Sequence, residues 1–114
     1  MKILFRERKE TLYVLMDIQD SPYGSLREFH RACRVLGEID TGYHFFVNPQ
    51  GEIETDRDIK AIAGHKLPAN DVSIAIHIQS PKGAITDSQE FTVGNLIANL
   101  KRNYKGIQII TRKE

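Results

Sequence analysis

The sequence predicts an α/β fold in which a central mixed β-sheet is flanked by α-helices. Apolar, β-prone segments alternate along the chain with segments whose apolar residues recur at helical spacing. Most of the strand segments indicate burial, as expected of strands that are covered on both sides of a sheet. A short β-hairpin built around a Pro/Gly turn lies in the middle of the chain.

The first part of the chain holds the sequence signals of two strands and one helix. Lys2–Phe5 has the composition of a short edge strand, and Thr11–Ile18 (TLYVLMDI) is rich in β-branched and apolar residues. A helix is predicted over Ser25–Leu36 because its first serine is followed three residues later by Glu28, the pattern of a capping box. Gly37 ends this helix.

Residues 42–58 (GYHFFVNPQGEIETDRD) form the predicted hairpin. Tyr43–Val47 is its first strand, Asn48–Gly51 its turn, and Glu52–Thr55 its second strand, in which polar and apolar residues alternate. The first strand opens with a tyrosine and a histidine, two side chains that are able to act on a ligand.

The second part of the chain follows the same alternation. Ile59–Ala63 has room for one helical turn, Val72–Gln79 is a strand, and Ser80–Ser88 is a loop. Thr92–Tyr104 is a helix, and Ile107–Thr111 is the last short strand. The predicted core consists of ten apolar residues of these elements: Leu12, Val14, Phe29, Cys33, Phe45, Ile74, Ile76, Leu96, Ile97 and Leu100.

Length and composition predict a single domain over residues 1–114. The net charge of +1 indicates neither a membrane surface nor an extended nucleic acid as a partner. The charged run Arg6–Glu10 is typical of a solvated turn. Because Cys33 is the only cysteine, no disulfide can form within the chain, which is typical of a reducing compartment. We therefore expect a cytoplasmic protein.

Several motifs resemble one known family. Gly42–Phe45 (GYHF), Arg57-Asp58, Gly64-His65 and Ser73–Ile76 (SIAI) follow one another in the order and spacing of that family, and Phe91-Thr92 resembles the start of its final helix. The sequence resembles the zinc-dependent N-acetylmuramoyl-L-alanine amidases and peptidoglycan-recognition proteins, a family that includes short phage lysozymes of amidase type. The resemblance implies a mixed sheet flanked by helices, with a groove over one sheet face.

The departures from the family pattern fall on the zinc ligands. The resemblance implies one histidine late in an early strand, a second after the last helix, and a third ligand near the C-terminus. The resemblance places Leu15 at the first position and Arg112 near the second, and the chain stops at Glu114, before the third. Leucine and arginine are not zinc ligands. We therefore expect a relative that has no metal cofactor, no catalytic residues and no amidase activity.

The remaining polar residues of the implied groove are candidates for ligand binding. Tyr43 lies at the reaction centre of the family, and a positive charge at Arg112 would compensate for the missing ion. Structural packing is an alternative for His44, fixing of a loop is an alternative for Asn70, and solvation at a chain end is an alternative for Arg112. The predicted ligand-binding residues are Tyr43, His44, His65, Lys66, Asn70 and Arg112.

Three functions remain open from the sequence. The first is a protein that binds a small anionic ligand without cleaving it: a muropeptide according to the resemblance, or a nucleotide because aromatic and cationic side chains suit bases and phosphates. The second is an inhibitor or regulator that binds an unidentified protein and uses the fold as a scaffold. The third is residual amidase activity in peptidoglycan breakdown.

Overall fold

The computed structural model describes residues 6–20, 23–64, 69–80 and 83–113. They form a mixed five-stranded sheet, of which only β2 and β3 pair antiparallel, and the strand order is β3-β2-β4-β1-β5. The predicted α/β fold with a mixed sheet flanked by helices is confirmed. The elements in chain order are β1 (Tyr13–Gln19), α1 (Leu26–Val35), β2 (Phe45–Val47), β3 (Ile53–Thr55), β4 (Ser73–Gln79), α2 (Asp87–Asn103) and β5 (Gln108–Lys113).

One helix covers each face of the sheet. Alternate residues of β4 point to opposite faces, so Ile74, Ile76 and Ile78 pack with Val93 and Leu100 of α2. The other face of the sheet packs against α1, through apolar and aromatic residues that include Leu26, Phe29, Phe46 and Ala75. All seven residues of β4 are buried, as expected of a central strand covered on both sides.

The connections leave the two central strands in opposite directions. From β1 the chain passes through α1 to β2, on the far side of β4, and from β4 it passes through α2 to β5, on the far side of β1. The connection after β1 therefore runs toward one edge of the sheet and the connection after β4 runs toward the other edge. The boundary between β1 and β4 is thus a topological switch point. Ligands of open α/β sheets bind outside the carboxyl ends of the strands at such a switch point.

The helix caps show how far local signals define the boundaries. Helix α1 begins as predicted: the Ser25 hydroxyl accepts from the Glu28 amide at 3.2 Å, although the Glu28 carboxylate binds the Gly24 amide instead of completing the box. Helix α2 begins at Asp87, five residues before the predicted start. Thr86, which lies inside the predicted loop Ser80–Ser88, forms a complete capping box with Gln89, the residue after that loop.

Three other predictions from the sequence are wrong. Residues 59–63 form no helix; Ala61 instead pairs with Glu7 in an isolated antiparallel bridge. Leu12 is not a core residue, because it precedes β1 and is 41% exposed. Arg8 is not a solvated member of the charged run, since it donates to the carbonyls of Ile59 and Ala61 at 2.7 and 2.8 Å.

The rest of the predicted core lies in the interior. Val14, Phe29, Ile74, Ile76 and Leu100 are buried. The other four predicted core residues are half-buried and pack against the two clusters: Cys33, Phe45, Leu96 and Ile97.

The candidate edge strand Lys2–Phe5 lies outside the described residues. No helix in the described part of the chain combines the length and the apolar character needed to cross a membrane.

Candidate functional site

A buried carboxylate lies near the carboxyl end of β1, one of the two strands at the switch point. The side chain of Asp17 is 1% exposed, and both of its oxygens accept hydrogen bonds. Arg112 of β5 donates from Nε to Oδ1 and from Nη2 to Oδ2, each at 2.6 Å, which is a bidentate ion pair. The Tyr43 hydroxyl donates to Oδ2 at 2.5 Å. We call Asp17, Tyr43 and Arg112 the Asp17 cluster.

The hairpin brings Tyr43 to this carboxylate. The ring of Tyr43 is 4% exposed and packs on the α1 face, with its centroid 6.0 Å from Phe29 and 5.2 Å from His77. Its hydroxyl also accepts from Gln19 Nε2 at 3.3 Å. Tyr43 therefore lies in the floor of the site, with its polar tip held between two strand residues.

His77 lies next to the Asp17 cluster as the parallel partner of Asp17. It is fully buried, stacks on Phe46 with 5.1 Å between ring centroids, and donates from Nε2 to Gln79 Oε1 at 3.0 Å. Its Nδ1 is buried without a hydrogen-bond partner among the described atoms. Burial lowers the pKa of this imidazole, although the hydrogen bond to Gln79 and the charge of Asp17 oppose the change. Burial therefore favours the neutral form of the His77 ring, which lies in the wall of the site.

Two buried contacts fix the start of the hairpin. Arg57 donates to both oxygens of Asp40, at 3.1 and 2.8 Å, and both side chains are more than nine-tenths buried. Gly42 has φ +79° and approaches Gly64 so closely that a Cβ on Gly42 would lie 2.9 Å from the Gly64 carbonyl oxygen. Only glycine tolerates both conditions, so these contacts determine where Tyr43 enters the sheet.

The structure distributes the predicted binding residues over different places. Tyr43 and Arg112 meet at Asp17. His44 is fully buried; its Nε2 donates to the Ala61 carbonyl at 2.8 Å and its Nδ1 accepts from the Ala75 amide at 3.0 Å. Asn70 lies in the 3₁₀ turn before β4, where its Oδ1 is buried without a hydrogen-bond partner among the described residues. His65 and Lys66 lie outside the described residues.

The strand register places a different residue of β1 opposite Arg112 than the one assigned to the first zinc ligand. The residue of β1 that pairs with Arg112 is Asp17, whereas Leu15 pairs with Ile110. Leu15 is buried and lies two residues before Asp17 on the same strand. Asp17 was missed, although a carboxylate inside an otherwise apolar strand is a signal, because buried carboxylates need partners.

Two of the clefts that described residues line lie elsewhere on the molecule. One, of about 520 Å³, lies between the end of the hairpin and α2 and includes Asp58, Asn99 and Tyr104 in its lining. The other, of about 390 Å³, lies beside α1, where His30 contacts Asp56 at 3.1 Å. The Asp17 cluster contributes to neither of them.

Known proteins resemble this chain along nearly its whole length. The sequence is 24% identical to the endolysin of Klebsiella phage KP32 over 126 aligned residues, which span 99% of this chain and 82% of that protein. It is 25% identical to the endolysin of Escherichia phage T7 over 118 residues, which span 92% of this chain and 76% of the other. The chain is a distant homologue of the T7-type phage endolysins. No protein-family model matches it.

Solved structures show the same fold for this endolysin homologue. The Ph2119 endolysin from a Thermus scotoductus bacteriophage superposes with a TM-score of 0.83 at 18% identity, over 97% of this chain and 77% of the other. Drosophila PGRP-LB superposes with a TM-score of 0.77 at 21% identity, over 94% and 71%. For the N-acetylmuramoyl-L-alanine amidase LysC from Clostridium intestinale the TM-score is 0.76 at 14% identity, over 96% and 78%. The fold is that of the amidases and peptidoglycan-recognition proteins.

The side chains at the Asp17 cluster do not fit the zinc ion that this fold family implies. Asp17 is a possible ligand, but both of its oxygens are engaged by Arg112 and one also by Tyr43. The position across from it carries a guanidinium, which repels a divalent cation. In the described ranges, no three His, Cys, Asp or Glu side chains come together in a group that could hold a metal ion.

Proposed function

We propose that this endolysin homologue binds a small peptidoglycan fragment, a muropeptide, over the Asp17 cluster and does not cleave it. The observation that carries the proposal is the bidentate ion pair between Arg112 and Asp17. The ion pair engages both carboxylate oxygens, so Asp17 is held as an acceptor and is not poised as a general base. The Tyr43 hydroxyl donates to the same carboxylate, which leaves no activated nucleophile in the cluster.

The position and accessibility of the cluster support a binding role. Its carboxylate lies near the carboxyl end of β1, beside the switch point between β1 and β4, and open α/β sheets bind their ligands at such points. The Arg112 side chain is 31% exposed, so a ligand in solution can reach it. The buried Asp17 carboxylate holds its guanidinium in place through the ion pair. The proposal also includes ligand contacts from the segment before β4, made by His65, Lys66 and Asn70. His44 contributes indirectly, because it fixes the strands beneath the site.

The charge of the cluster favours a muropeptide over a nucleotide. Asp17 neutralises the guanidinium that would otherwise attract a phosphate, so the cluster has no net charge to match a highly charged ligand. A muropeptide carries amides, hydroxyls and few carboxylates, which suit a neutral, hydrogen-bonding site. The likeness to peptidoglycan-recognition proteins supports the same ligand class. In a cytoplasmic protein, which we also propose, the ligand would be an internal wall fragment.

Calorimetric titration with a soluble N-acetylmuramoyl peptide tests the proposal, and mass spectrometry of the recovered peptide reports any cleavage. We expect saturable binding and an intact peptide. The Tyr43→Phe variant should bind about two- to tenfold more weakly, because one hydrogen-bonding group of the floor is lost. Lys101→Ala, on the exposed face of α2, is the matched control and should bind like the unmodified protein.

Two results would overturn this function. Cleavage of the amide between the muramoyl group and the peptide would show an active amidase. Tight binding of adenosine monophosphate, with no response to the muropeptide, would assign the site to nucleotides.

Protein binding is a second candidate function, favoured by one specific surface. Val35, Leu36 and Ile39, at and just after the end of α1, are 81%, 80% and 47% exposed. Exposed apolar groups of this kind often mark protein interfaces. Affinity capture from the native host with the unmodified protein and with Leu36→Lys tests this function. Loss of one specific partner in the variant would support it, and identical captured sets would exclude this surface.

A further inference from the structure

The resemblance to the zinc-dependent amidases implies one metal ligand late in an early strand and another after the last helix. In this chain β1 and β5 are hydrogen-bonded neighbours, and near their carboxyl ends Asp17 of β1 faces Arg112 of β5. We propose that this ion pair is a built-in substitute for a metal centre. The guanidinium is the cation that Asp17 holds, and it makes the site independent of divalent metal and keeps such metals out.

The first support is the saturation of the carboxylate. Oδ1 accepts from Arg112 Nε, and Oδ2 accepts from both Arg112 Nη2 and the Tyr43 hydroxyl, all within 2.5–2.6 Å. A divalent cation at Asp17 would have to displace two charge-assisted hydrogen bonds. It would also remain within a few ångströms of a guanidinium that stays protonated in proteins.

The second support is structural. The ion pair ties the edge strand β5 to β1 through side chains 95 positions apart, and the same carboxylate holds the tip of Tyr43. A metal ion held by residues of the two strands would organise the floor in the same way. Asp17 is almost completely buried and would carry an unpaired charge without Arg112. The guanidinium therefore supplies the cation on which this arrangement depends.

This inference does not depend on the proposed ligand, because it concerns metal binding by the protein alone. The probe is zinc chloride, and the readout is the unfolding temperature of four proteins with and without the metal. The proteins are the unmodified chain, Arg112→His, Asp17→Asn/Arg112→His, and Lys113→His. Lys113 is the matched control because it pairs with Ile18, so its side chain points to the opposite face of the sheet.

We expect excess zinc to leave the unmodified protein and Lys113→His unchanged. Arg112→His replaces the internal cation with a zinc ligand beside a carboxylate, so saturating zinc should raise its unfolding temperature by about 4 °C or more. The added Asp17→Asn change should abolish this increase. Zinc stabilisation of the unmodified protein, or an absent or Asp17-independent increase in Arg112→His, would overturn the inference.

A measurement on the unmodified protein decides the matter if the variants do not fold. The Nε–H of an arginine held in a bidentate ion pair exchanges slowly with solvent and gives a separate NMR signal. We expect that signal for Arg112, with no change when zinc is added. A rapidly exchanging Nε–H, or a signal that shifts or disappears on addition of zinc, would refute the proposed substitution.

Discussion

The guanidinium of Arg112 binds the carboxylate of Asp17 through two hydrogen bonds of 2.6 Å each. The arginine belongs to the edge strand and is one-third exposed, whereas the aspartate belongs to the neighbouring strand and is buried. An ion pair of this kind contributes little net stability compared with an apolar pair, but breaking it from one side leaves a buried charge. The geometry therefore predicts which substitutions the site tolerates.

Arg112→Ala should lower the free energy of unfolding by about 3 kcal/mol or more, because Asp17 is left buried without its counter-ion. A solvated side chain at a chain end could be removed with little effect on folding, but the buried partner of Arg112 makes its loss costly. Asp17→Asn/Arg112→Met should cost less than the sum of the single changes, by at least about 1 kcal/mol. Urea unfolding measures all of these values.

Lys113→Ala is the matched control for this cycle. Lys113 is exposed on the same strand, so its loss should change stability by less than about 0.5 kcal/mol. Strict additivity of the Asp17 and Arg112 changes would contradict the coupling seen in the structure.

Gly42→Ala should destabilise the fold more than Gly37→Ala does. Both glycines have positive φ, +79° and +89°, but only Gly42 has backbone atoms of Gly64 where a Cβ would be placed. The left-handed conformation alone costs about 1–2 kcal/mol for alanine, and the steric contact should add at least about 1 kcal/mol at Gly42. Equal midpoints in urea would show that the hairpin can move away from Gly64 at no cost.

Arg57→Lys should weaken the hairpin although it conserves charge. Arg57 donates to both oxygens of Asp40 and makes a further hydrogen bond of 3.1 Å to the Ile62 carbonyl. A lysine ammonium cannot reproduce this planar arrangement of donors. We expect a loss of about 1–3 kcal/mol in urea unfolding. Lys60→Ala, an exposed change nearby, serves as the control, and a similarly small effect for both variants would exclude a buried clamp.

His77 should make stability depend on pH. Burial lowers its pKa in the folded state, so the unfolded chain, with a pKa near 6.5, binds the proton more readily. The stability associated with the neutral ring is complete above about pH 6.5 and decreases as the pH falls toward the folded-state pKa, by at most about 1.4 kcal/mol per pH unit.

His77→Phe tests this dependence because a phenyl ring can still stack on Phe46. The variant loses the bond to Gln79 at every pH, so its stability starts lower but should decrease less between pH 7 and pH 5. Urea unfolding across this range gives the comparison. Parallel pH profiles for the two proteins would mean that His77 does not titrate during unfolding.

Local signals explain why much of the fold could be predicted from the sequence. The hairpin turn, the Ser25 cap and the alternation of strands with helices depend on neighbouring residues, and they lie close to their predicted positions. The start of α2 was missed because Thr86, the N-cap residue of its capping box, was assigned to the loop Ser80–Ser88. Gln89 also bonds to the carbonyls of Val47 and Gln79, contacts that no local pattern indicates.

The sequence by itself predicted the α/β class and the hairpin, and its resemblance to a known family singled out Tyr43 and Arg112 as candidates for one binding site. Tertiary structure alone decided that Asp17, and not Leu15, is the residue between them. The reason is physical: residues 15 and 17 point to the same face of a strand, so the apolar pattern is compatible with either. Hydrogen bonds between parallel strands far apart in the chain set the register, and no turn between them fixes it.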